Sequence, residues 1–151
     1  MNNILIALHA LAAMFWVGGM AFAYLVLRPA AGGLEAPQRL GLWRRVFGTF
    51  LPWAAVAALV LIVTGYAMIF SVYQGMANAP MHIHIMHGLG LVMTAILVFL
   101  IVRPWQRFKK AVDAGATADG AAGLATIRKI VATNLVLGVL VITVATSGRF
   151  W

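Results

Sequence analysis

The chain has 151 residues, of which 64% are hydrophobic and 9% charged; soluble domains carry about 25% charged residues, so this composition excludes that class. Its formal net charge of +8 would suit nucleic acid, but the basic residues are islands between long apolar runs, which excludes both that partner and a disordered chain. With no cysteine, disulfides, iron–sulfur clusters, thiolate metal sites and covalent c-type haem attachment are excluded too.

In chain order, four apolar stretches are long enough to cross a hydrocarbon core of about 30 Å: residues 4–27, 51–72, 81–102 and 130–148. A bilayer offers the backbone no hydrogen bonds, so each stretch must be a helix. The expected fold is all-α, an integral membrane four-helix up-down-up-down bundle, with residues 1–151 as a single transmembrane domain. The first stretch is too long for a signal-peptide core, lacks a basic n-region and ends at Arg28-Pro29, so it is expected to remain as a helix. After it, Leu40, Trp43 and Phe47 recur at helical spacing among Arg39, Arg44 and Arg45, which predicts a short interfacial helix. Residues 112–123 are rich in Ala and Gly and predict a mobile turn, while Trp105, Phe108, Phe150 and Trp151 are expected in interfacial aromatic belts.

The connections also orient the chain. Arg28, Arg39, Arg44 and Arg45 fall between the first two spans, and Arg103, Arg107, Lys109, Lys110, Arg128 and Lys129 between the last two; only Arg149 lies at the other side. This asymmetry predicts a bacterial inner membrane protein with basic loops in the cytoplasm and both termini in the periplasm. The same charges suit anionic lipid.

The first and third spans carry matching exits, Leu25-Val26-Leu27-Arg28-Pro29 and Leu100-Ile101-Val102-Arg103-Pro104, and a histidine stands 19 residues before each Arg, His9 and His84. This suggests two repeated helical hairpins related by an axis along the membrane normal.

All four histidines, His9, His82, His84 and His87, fall near the same outer ends of the first and third spans. An ionisable side chain inside a span is expensive, so it marks a candidate site. Two facing helices can supply an imidazole each to haem b, which makes His9 with His84 or His87 a ligand pair. Ala12, Trp16, Gly19 and Ala23 continue the His9 face as a stripe of small residues with one indole, where a macrocycle could lie; close helix packing is the alternative reading of such a stripe. Met81, His82, His84, Met86 and His87 form instead a copper-like set, since imidazole and thioether suit both copper oxidation states. A structural subunit without cofactor is the third reading.

The run from His9 through Trp16 to Gly18-Gly19, the run Met81-His82-Ile83-His84-Ile85-Met86-His87, and Ile127-Arg128-Lys129 with Asn134 resemble the small bacterial CopD-family membrane proteins over nearly the whole chain. That group is named for copper resistance and is similar in its first helix to HemJ-type protoporphyrinogen oxidases. The resemblance implies a haem b ligand role for His9 and, alternatively, HemJ-like protoporphyrinogen oxidation. HemJ-type proteins carry a lysine where this chain has His84, a departure that favours a six-coordinate electron-transfer haem. On this reading the chain is a redox protein or membrane oxidoreductase, with the bilayer, a quinone or quinol, a redox partner protein and a second copy of itself as partners.

Asn134 is expected to hydrogen-bond between helices, with a quinone head group, near Arg28 or Arg103, as the alternative. Thr64, Thr143, Thr146, Ser147 and Arg149 could meet haem propionates or, for the hydroxyls, bond within their own helices. No span contains a carboxylate, which argues against a proton- or cation-coupled transporter, and no phosphate loop or paired nucleophile supports an ATPase or hydrolase.

Overall fold

A computed structural model describes residues 2–150, without the side chains of Asn2 and Arg149. Among the described residues every regular element is helical. Five long or amphipathic helices organise the chain: α1 (Asn2–Phe22), α2 (Ala36–Tyr73), α3 (Met81–Val102), α4 (Pro104–Asp113) and α5 (Thr117–Ser147). Four helical stretches, the α1, α2, α3 and α5 regions, are long and apolar enough to cross a membrane. They alternate in direction, giving the expected up-down-up-down bundle. α1 packs chiefly on α2, and α3 on α5; the two hairpins meet where α1 and α2 touch α5, leaving α1 and α3 at opposite corners.

The third span matches its expected limits, 81–102. It stops at Arg103 because a residue before proline is poorly placed to continue a helix, and Pro104 then opens α4 in the first turn. α1 departs from regularity at its basic end: a π-helical turn, Ala23–Leu27, precedes a short α segment, Arg28–Ala30, and a 3-10 turn, Ala31–Gly33. α2 ends where Gln74 and Gly75 take positive φ of 57° and 127°, the second being a conformation that favours glycine.

Three expectations at the basic end are corrected. The short interfacial helix at 40–47 is not separate: it is the first part of α2, which runs unbroken through Pro52. The mobile turn expected at 112–123 is mostly helix, with only Ala114, Gly115 and Ala116 between α4 and α5. Its small residues are points of close approach, since a Cβ at Gly120 would press on Leu40 and one at Gly123 on Phe108. Trp105 and Phe108 are not belt residues but core, because α4 folds back onto α5 and α2. Phe47 stacks on Trp43 with centroids 4.9 Å apart, and Trp105 and Phe108 meet it edge-on at 6.3 Å each. Such pairs contribute about 0.5–1.5 kcal/mol beyond area burial. Phe150 is exposed as a belt residue would be, and Trp151 lies outside the described residues.

Candidate functional site

The histidine end is built on α2. Thr64 donates its hydroxyl hydrogen to the Val60 carbonyl at 2.6 Å, so its oxygen is left to accept. His9 Nδ1 lies 2.8 Å from that oxygen, and with the hydroxyl hydrogen on the Val60 carbonyl the proton is assigned to Nδ1 and the lone pair to Nε2. A second hydrogen bond that fixes the tautomer is what metal-binding imidazoles use. The imidazole lies directly against α2: a Cβ on Gly65 would stand 3.5 Å from His9 Cε1, in ordinary van der Waals contact.

His87 meets α2 as well, through Tyr66, whose hydroxyl is 3.3 Å from Nε2 and whose ring stands edge-on to the imidazole at 5.0 Å. Thr64 and Tyr66 are two residues apart, about 3 Å along the axis and about 200° around it. His9 and His87 therefore sit at a shared height but address opposite flanks of α2. His84 is exposed, and His82 packs against Gly148 at the end of α5. Met81 is exposed and Met86 half-buried. Among the described residues no three His, Cys, Asp or Glu side chains converge as a metal-binding group.

The equal spacing in the first and third spans does not produce equal surroundings. His9 is clamped to α2, whereas His84 points outward; α1 leaves through a π turn, whereas α3 breaks at Arg103. The stripe at Ala12, Trp16, Gly19 and Ala23 takes part in helix packing. Trp16 and Ala23 are core residues, and a Cβ on Gly19 would collide with the Phe50 ring. The small residues let α1 and α2 close on each other, the packing alternative for such a stripe.

The other polar residues are helix-bonded. Asn134 donates Nδ2–H to the Met93 carbonyl of α3 at 3.3 Å, the expected interhelical bond, while its buried Oδ1 has no partner. Thr143, Thr146 and Ser147 donate to carbonyls of their own helix. The Arg149 side chain is outside the description. Sequence reasoning missed Tyr66 as a partner of His87; its signal was a phenol two residues after Thr64 in an otherwise apolar span. It also missed that Thr64 orients an imidazole.

An all-helical chain with four membrane-length apolar helices is a multi-pass membrane protein. The chain belongs to the CopD family: the sequence model described as copper resistance protein D matches residues 44–147, which take in α3, α4 and α5 and most of α2. None of the curated proteins and none of the solved structures matches it. The Met81–His87 run lies inside the family match and His9 outside it.

Proposed function

We propose that this protein handles copper as cargo at the histidine end of the bundle, in a bacterial inner membrane with that end facing the periplasm. The observation that carries the reading is the CopD match across the segment that holds Met81, His82, His84, Met86 and His87. His84 and His87 stand at i, i+3 on α3 with Met81 three residues before His84, a pattern that spreads two imidazoles and a thioether over less than two turns of one helix. Imidazole and thioether suit Cu(I). Their openness favours an ion that enters and leaves over one that stays. His9, held by Thr64 on the opposite flank of α2, is not part of this set.

Titration of the detergent-purified protein with Cu(I) against a competing chelator tests this. Near-stoichiometric binding is expected, weakened at least tenfold in the His84→Ala, His87→Ala double variant. A protein that takes up no copper, or a double variant that binds as well as wild type, overturns the reading. A Soret band in the purified protein would return the assignment to haem b on His9.

The orientation rests on the ten Lys and Arg residues of the two basic loops against Arg149 alone. Because the chain has no native cysteine, single-cysteine variants label without background. Ala77→Cys should react with an impermeant maleimide added to spheroplasts, and Ala114→Cys only after lysis. The reverse pattern would put the histidine end in the cytoplasm.

A further inference from the structure

α3 is covered on one side only. Its buried residues, Met93, Leu97 and Leu100, turn into the bundle. On the other side His84, Gly88, Leu91, Ala95, Val98 and Val102 are all exposed, at spacings that alternate four and three residues. Met81, exposed and three residues before His84, continues the row to its outer end. A row of this period is the seam along which two helices interlock their side chains. Nothing in the chain fills it. A Cβ on Gly88 would meet no atom within 4 Å, and from Leu91 to Arg103 the face is an open, mostly apolar groove of about 540 Å³.

Lipid covers an apolar face without help, but an imidazole turned towards lipid is expensive, and His84 stands in this row. Two copies inserted the same way in one membrane are related by a two-fold axis along its normal, so their α3 helices pair in parallel. Each residue of the seam then meets its own counterpart at one height. Within a single copy, among the described residues, no three His, Cys, Asp or Glu side chains converge, and His87 is turned to Tyr66 of α2. The seam itself offers one imidazole and one thioether per copy, and two copies offer a pair of each, donors that suit Cu(I).

Resting on the copper reading above, we infer that a second copy of this chain docks along the exposed seam of α3 and that copper is shared by Met81 and His84 of both copies. α3 has 22 residues, so the strip it presents is about 33 Å by 10 Å, on the order of 300 Å² per copy. A standard stable interface covers about 800 Å² per partner. Packing alone leaves such a pair weak, and the shared ion closes it: the copies separate when empty and pair when loaded.

Light scattering on the full-length protein in neutral detergent, with and without Cu(I) under reductant, measures this, with copper affinity followed in parallel. The protein mass should double on adding Cu(I) and return to that of one chain when a chelator strips the ion. Ala95 stands about 16 Å along the helix from His84, too far to touch the ion. Ala95→Trp, which wedges the seam, should nevertheless lower both the dimer fraction and the copper affinity about tenfold. Gly88→Trp should do the same, and decides if Ala95→Trp fails to fold. Leu59→Trp, on an exposed face of α2, should behave as wild type. Copper bound at the mass of one chain overturns the shared site and leaves the copper reading standing, whereas no copper uptake overturns both. A loaded dimer that both wedges leave intact also overturns the inference, since the contact then lies elsewhere.

Discussion

The two ends of the bundle are built differently. At the basic end, Trp43, Phe47, Trp105, Phe108, Leu124 and Ile127 form a continuous core in which Phe108 and Ile127 are wholly buried. At the histidine end, α1 buries nothing before Trp16 and α3 nothing before Met93. What joins the helices there is His82 against Gly148, the buried Ile69 and Ala79, and two polar contacts, His9 with Thr64 and His87 with Tyr66. One end is held by packing, and the other is free to rearrange around what it binds, since regions with few buried contacts open at low free-energy cost.

The sharpest way to break this contrast is to remove one side chain from each end. Phe108→Ala should destabilise the protein by about 3–5 kcal/mol, as truncation of a buried aromatic does. His84→Ala, on the exposed face of α3, should change stability by no more than about 0.5 kcal/mol. Denaturant unfolding in detergent measures both, and comparable losses would mean that the ends are equally packed.

A smaller effect is expected midway. Gly138 of α5 lies where Val17 of α1 and Met93 of α3 converge, and a Cβ there would stand 2.8 Å from Val17 Cγ2. Gly138→Val should therefore cost about 1–3 kcal/mol through overpacking. A neutral result in the same unfolding assay would show that the helices can spread at that level.

A smaller effect again is expected of Thr64→Val, which removes an interhelical hydrogen bond of about 0.6 kcal/mol. Its clearer signature is spectroscopic. With ¹⁵N-labelled histidine, His9 should report a protonated Nδ1 in the wild type and a mixture of tautomers in the variant. A wild-type His9 protonated at Nε2 instead would remove it from the candidate ligands.

The spans were legible because a bilayer permits only long apolar helices, and α3 keeps the limits read from its composition. The basic end was not, because an amphipathic segment rich in Arg and Trp reads as surface-bound until its partner is known. Here the partner is α4, which turns Trp43, Phe47 and Phe108 into one core. The histidines were legible as candidates from their shared outer position, but their company was not. A spacing of 19 residues sets height along an axis and says nothing of rotation about it, so His9 faces Thr64 while His84 faces outward. The small-residue stripe of α1 suited both a slot and a close helix contact, and only Phe50 against Gly19 reveals the contact.

α2 has 38 residues and at 1.5 Å per residue is a rod about 57 Å long, well beyond the thickness of a hydrocarbon core. It carries Trp43 near its first turns and Thr64 with Tyr66 near its last. Its buried residues run from Leu40 through Ala54 and Ala58 to Ile69, so it ties the aromatic core to the imidazoles of His9 and His87. A change of tilt of this rod would move Thr64 and Tyr66, and with them the hydrogen bonds that orient His9 and His87.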